Sequence, residues 1–322
     1  MYPFLFKPIL KEIIWGGTDI RPFKGLPPGG EKIGESWELS HVEGNWSEVA
    51  NGTLAGQTVD DLIRRYGAAL LGEKVMRQFG TVFPLLIKFI DARDDLSIQV
   101  HPDDELARKR HGSFGKTEMW YVVKASPGAA LLSGFSRRID ADEYVRRVAD
   151  NSLTDVLQRY AVAPGDVFFL PAGRVHAIGT GCFIAEIQQT SNITYRIYDY
   201  NRRDADGNAR ELHVDLARDA IDYTPYPDYR TAYAPAENEP VRLVECKYFT
   251  TNLLSADKTL KRDFSTLDSF VVFILTEGSA LIRDSGGNEL AVRQGQTVLF
   301  PAAVQWVEVV PSPHVKLLET YV

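Results

Sequence analysis

The sequence predicts a mainly β protein in which one β unit occurs twice and a small helical insertion interrupts the first copy. Three observations predict this. Short apolar runs are punctuated by turn residues, a pair of motifs recurs in the same order, and only two stretches carry helical spacing.

The runs around residues 82–90, 96–100, 119–124, 167–170 and 183–188 are strand-length and are bounded by Gly, Pro, Asn and Asp. Helical spacing appears over 58–80, in VDDLIRRYGAALLGEKVMRQF, and over 140–160, where Asp140 is placed to cap ADEYVRRV. The repeat pairs GDVFFLPAGRVH (165–176) with GQTVLFPAAVQW (295–306), and EMWYVVKASPGAALL (118–132) with DSFVVFILTEGSALI (268–282). Gly, Pro and the apolar run fall at equal spacing in the first pair, and both pairs keep their order. Two copies of one unit explain this more simply than coincidence does. The proline-bearing stretch 223–240 separates the copies. It divides the chain into a domain of residues 1–235, with the helical insertions, and a second domain of residues 236–322.

At 322 residues the chain has room for two such domains. Apolar residues make up 44% and charged residues 25%, a mix that suits a soluble protein. A net charge of −7 without any basic block argues against a nucleic-acid partner. No apolar run is long enough to cross a membrane. The start, MYPFLFKPIL, has no basic region or cleavage site of a signal peptide. Cys182 and Cys246 lack the spacing of a zinc knuckle or redox pair, and so few cysteines suit a reducing compartment. The expected location is cytoplasmic.

The first unit carries a candidate metal set. Gln99 and His101 lie two apart in LSIQVHP and so share one face of a strand. Glu118 opens the next strand pattern in FGKTEMW, and His176 closes a third in PAGRVHA. Any one of these has an ordinary structural or surface explanation. Two imidazoles, a carboxylate and an amide together suit Zn2+, one per chain, with other divalent metals as alternatives. In the second copy Asp268 and Trp306 are the expected counterparts of Glu118 and His176, which predicts that only the first unit binds metal.

The P-G-D turn, the hydrophobic strand and the P-x-G-x-x-H that follows resemble the cupin, a small jelly-roll barrel with metal ligands inside. The resemblance implies two cupin barrels with a small helical insertion. More closely, IIWGG (13–17), GESWELS (34–40), SIQVHPDD, the KxE of 116–118, HAIGTG and EIQQTSNITYRIYDYNR (186–202) resemble the type I phosphomannose isomerases, in their short bacterial form, over nearly the whole chain. By that resemblance Gln99, His101, Glu118 and His176 are the zinc ligands, and Arg196 is the active-site arginine. Lys116 stands beside the metal carboxylate, and Ser97 helps to hold the substrate phosphate.

The implied reaction is aldose–ketose isomerisation of mannose 6-phosphate through a cis-enediol, with a sugar phosphate as small-molecule partner and a monomer or homodimer as the assembly. Lys116, Glu186 or a metal-bound water is the candidate proton carrier, and Trp15 is a candidate pocket wall. The chain departs from the longer forms in having Ile178 where they carry tyrosine. Arg202 and Arg203 are the nearest basic groups where the longer forms use a lysine for phosphate. Another sugar phosphate as substrate, or a non-catalytic sugar-binding cupin, are the alternative readings.

Overall fold

In the central strands every residue is buried. All seven positions of Leu85–Asp91 and all eight of Cys182–Gln189 are shielded from solvent. Such a strand has no solvent face, so its sequence reads as a continuous apolar run rather than an alternation. The computed structural model, which describes residues 1–203 and 207–322, shows why. Leu85, Ile87 and Phe89 point into a core shared with Phe270, Val272 and Ile274 of the C-terminal sheet. The alternate positions, Lys88 and Ile90, point into the first barrel.

That barrel is built from two sheets. One has six strands in the order Val167–Leu170, Glu118–Ala125, Cys182–Gln189, Leu85–Asp91, Ile33–Leu39 and Ile9–Gly17. The other has five, in the order Leu157–Ala161, Ala130–Phe135, His176–Ile178, Ile98–Val100 and Tyr195–Tyr198. Trp15, Ile90, Trp120 and Phe168 from the first sheet pack against Leu131 and Ile178 from the second. Eight strands form the C-terminal sheet, dominated by the long antiparallel pair Val271–Asp284 and Trp306–Tyr321. The N-terminal strand Phe4–Leu5 joins this sheet by pairing with Thr297–Phe300. The two-barrel, mainly β architecture agrees with the expected fold class.

The internal repeat is visible as geometry. Gly165 and Gly295 both turn the chain at positive φ, 94° and 81°, which a side chain would strain. Gly165 donates to Val122 O at 2.8 Å, and Gly295 donates to Leu275 O at 2.9 Å. These bonds correct the sequence alignment of the two copies. Val122 corresponds to Leu275, so the counterpart of Glu118 is Val271, not Asp268. The ladders agree, because Glu118 pairs with Leu170 and Val271 pairs with Phe300. A run of alternating aromatic and aliphatic residues aligns almost equally well at either shift, and only the ladder decides.

The helices are shorter than their spacing predicts. Instead of one element over 58–80 there are three, Val59–Tyr66, Ala68–Leu71 and Glu73–Phe79, broken at Gly67 and Gly72. Thr58 and Asp61 cap the first reciprocally. In 140–160 only Ala141–Ala149 is α-helical, and Asp140 does cap it, accepting from Glu143 N at 2.7 Å. A short 3₁₀ turn, Leu153–Val156, and the strand Leu157–Ala161 follow. Residues 223–239 hold no helix or strand, yet they are pinned to the first barrel. Tyr229 donates to Phe135 O and Tyr233 to Gly165 O. No helix among the described residues is long and apolar enough to cross a membrane.

Candidate metal centre and active site

Register brings the candidate ligands together. Gln99 and His176 are direct partners across adjacent strands, and Glu118 faces them from the opposite sheet. One ligand atom each from His101, Glu118 and His176 fits within 4.8 Å of the others. His176 Nε2 lies 3.2 Å from Glu118 Oε1, and His101 Nε2 lies 3.5 Å from Glu118 Oε2. Gln99 Nε2 is 3.3 Å from His176 Nε2. All but Gln99 are at most 1% exposed.

The hydrogen bonds behind the rings decide what they present. His101 Nδ1 is 2.9 Å from Ile193 O, and His176 Nδ1 is 2.8 Å from Arg174 O. A carbonyl oxygen only accepts, so each Nδ1 carries the proton and each Nε2 turns a lone pair inward. Burial drives the pKa of His176 down to about 3, and burial and then Lys116 hold His101 well below the ordinary range. Both rings are therefore neutral, as a metal ligand must be. Both Glu118 oxygens are sealed from solvent without a directed hydrogen bond, although the Lys116 ammonium makes an ion-pair contact at 3.1 Å. Burial lifts this carboxyl to about 7. Two inward lone pairs and a fully buried carboxylate, with Oε1 turned to His176 and away from Lys116, are the donor set of a divalent cation, so the residues fit one.

Gln99, the one member of the set that lines it, opens onto a cavity of about 360 Å³. Gln99, Lys116, Glu186 and Arg196 line it, as do Ser97 and Trp15, both 4% exposed. Lys116 Nζ lies 3.1 Å from His101 Nε2. Glu186 accepts from Trp120 Nε1 at 2.8 Å and pairs with Lys88 at 3.2 Å. Burial alone would raise its pKa. The ammoniums of Lys88 and Lys116 outweigh that and hold it below the usual carboxylate value. Arg196 donates from Nη1 to Glu211 O at 3.0 Å, while its Nε is buried without a partner. Arg202 is not among the lining residues. It is engaged by Asp199, by Asp95 O and by the Tyr200 ring.

Several cavity groups escape a reading of the sequence. Lys88 is 5% exposed and reaches both Glu186 and Glu35, the latter at 3.5 Å. Trp37, Lys88 and Glu186 are neighbours across three strands. A lysine alone inside the apolar run LLIKFI was the available signal, because burying it requires partners. Asn192 and Thr194, within the stretch 186–202, also line the cavity, as do Arg210 and His213, which no motif marks.

Fold and site together define a two-barrel protein of the cupin class with a candidate metal-binding triad beside a polar, charge-lined cavity. Residues 4–121 match the model of the phosphomannose isomerase type I catalytic domain. The chain is 35% identical to mannose-6-phosphate isomerase ManA of Bacillus subtilis, covering 93% of each. It is 31% identical to the mannose-6-phosphate isomerase of Streptococcus mutans, over 94% of this chain and 93% of that one. The crystal structure of the mannose 6-phosphate isomerase from Bacillus subtilis superposes with a TM-score of 0.89 at 29% identity, over the full length of both chains. The chain belongs to the type I phosphomannose isomerase family.

Proposed function

We propose that this chain interconverts mannose 6-phosphate and fructose 6-phosphate through a cis-enediol, with one Zn2+ or other divalent cation per chain. The observation that carries this reading is the convergence of two neutral imidazoles and a buried carboxylate next to Gln99 and Lys116, which line a cavity together with Glu186 and Arg196.

His101, Glu118 and His176 hold the cation, with the Gln99 carboxamide beside them. The cation supplies Lewis-acid stabilisation of negative charge developing on the sugar oxygens. Glu186 enters as a carboxylate, because Lys88 and Trp120 satisfy its charged form. It takes the proton from C2 and returns it to C1 on the same face, while the hydroxyl proton moves from O2 to O1. Lys116, paired with Glu118, stands where it can exchange a proton with the sugar oxygens. Arg196 brings a fixed positive charge with an unused Nε to the same cavity. Trp15 walls the cavity, with Ile13, Ile90 and Leu96 excluding water. Residues 1–235 thus form the catalytic part, and residues 236–322 support it. Two free cysteines, Cys182 and Cys246, fit work in the reducing cytoplasm.

The test is a coupled assay that follows fructose 6-phosphate formation from mannose 6-phosphate, before and after chelation. Activity that chelation abolishes and added divalent metal restores is expected. No turnover of mannose 6-phosphate by metal-replete protein overturns the function. Full activity after verified metal removal overturns the metal role.

A further inference from the structure

Positive charge is unevenly matched along this cavity. Beside the histidines, Lys116 faces Glu118 at 3.1 Å, and Lys88 faces both Glu186 and Glu35 at 3.2 and 3.5 Å. Every ammonium there has at least one carboxylate. Elsewhere three guanidiniums, Arg196, Arg202 and Arg210, gather around a single buried carboxylate, Asp199. Even with the exposed Glu211 carboxylate counted, the three guanidiniums outnumber the carboxylates around them among the described residues, and such a surplus in a partly buried cleft calls for an anion.

The hydrogen bonds separate the three arginines. All the side-chain nitrogens of Arg202 donate within the protein. Nε bonds Asp199 O, Nη1 bonds Asp95 O, and Nη2 bonds Asp199 Oδ1, while the guanidinium rests over the Tyr200 ring at 5.4 Å. Arg210 is gripped on one edge only. Its Nε donates to Asp199 Oδ2 at 2.7 Å and its Nη2 to Asp199 Oδ1, which leaves Nη1 without a partner among the described residues. Arg196 keeps a buried, unpartnered Nε. Arg210 and Arg196 line the cavity, and Arg202 does not.

Along the strand Tyr195–Tyr198 the chain runs away from His101, since Tyr195 pairs with Val100 and Tyr198 with Ile98. Arg196 pairs with Gln99, next to the histidines, and Asp199, which carries Arg210, lies three residues further along the chain. From the charge, the free Nη1 and this placement we infer that Arg210, braced by Asp199, binds the substrate's phosphate, and that Arg202 is a brace for the loop. The inference rests on the reading of the chain as a sugar-phosphate isomerase. A phosphate on C6 of an open-chain hexose lies at the opposite end from C1 and C2, so a cavity that holds C1 and C2 near the histidines and Arg196 leaves the phosphate for Arg210. A planar fork held on one edge and open on the other is suited to phosphate oxygens.

The test compares R210A, R210K and R202A with the unaltered, metal-replete protein, using mannose 6-phosphate as substrate and inorganic phosphate as competitive inhibitor. R210A is expected to raise KM and the inhibition constant for phosphate roughly 10- to 100-fold, with a much smaller change in kcat, because the contact is remote from the reacting carbons. R210K keeps the charge without the fork and should fall between R210A and the unaltered protein. It also decides the matter if R210A does not fold. R202A should shift both constants less than R210A does. An unaltered KM and phosphate inhibition in R210K and R210A, or a larger shift in R202A than in R210A, overturns the assignment. Failure of the unaltered protein to turn over mannose 6-phosphate is a separate result, and it overturns the isomerase reading instead.

Discussion

Replacing Lys88 by methionine tests the electrostatics of the barrel interior directly. The side chain is 5% exposed, with Glu186 at 3.2 Å and Glu35 at 3.5 Å. Burial alone would lower its pKa, but these carboxylates raise it above the ordinary lysine value. At an effective dielectric of about 20, each contact is worth roughly 5 kcal/mol of gross attraction. The net cost of K88M is smaller, because Glu186 can escape an unpaired charge by taking up a proton. From its ordinary value of 4.5, protonation at pH 7 costs about 3.4 kcal/mol, at about 1.4 kcal/mol per pH unit. K88M should therefore lose about 3 kcal/mol at pH 7, in line with the usual cost of breaking a buried pair.

The sign of the pH dependence follows from the same proton. In the folded variant Glu186 has a raised pKa, so the folded state holds a proton that the unfolded state has released above pH 4.5. Stability of the variant relative to the unaltered protein then falls as pH rises, by about 1.4 kcal/mol per unit between the two pKa values. At pH 5.5 the deficit shrinks to about 1.4 kcal/mol. Urea unfolding followed by tryptophan fluorescence at pH 7 and pH 5.5 measures both. A deficit below about 1 kcal/mol at pH 7, or an equal deficit at both pH values, refutes the reasoning.

Two further outcomes are expected. Arg196→Ala should lower turnover roughly 100- to 1000-fold while shifting the unfolding midpoint little, because among the described residues its side chain donates only to Glu211 O; a near-normal kcat refutes its placement in the reaction. Asp268→Ala should cost about 1 kcal/mol in urea unfolding with unchanged kcat and KM. Its carboxylate accepts the backbone N–H groups of Glu73 and Lys74, capping a helix 194 residues away in sequence, and an unchanged midpoint refutes that role.

Much of the candidate site was legible as spacing. Gln99 and His101 on one strand, the KxE of 116–118 and the P-x-G-x-x-H ending at His176 each carry a local pattern, and the structure brings them to one point. Lys88 was hidden because a strand buried on both faces reads as plain core, and nothing local shows that one face lines a cavity. Arg202 and Arg210 look alike in the sequence. Which of them meets the cavity depends on how Asp199 and the Tyr200 ring fold around them.

By itself the sequence determined the elements whose causes are local: strand runs, the Asp140 cap, the glycine turns of both copies and the family's motif series. The tertiary structure alone decided that Val271 rather than Asp268 stands in the place of Glu118, and which charges share a cavity. The reason is physical. Turns and caps are set by neighbours a few residues apart, whereas ladder register and the pairing of buried charges are set by contacts between segments far apart in the chain.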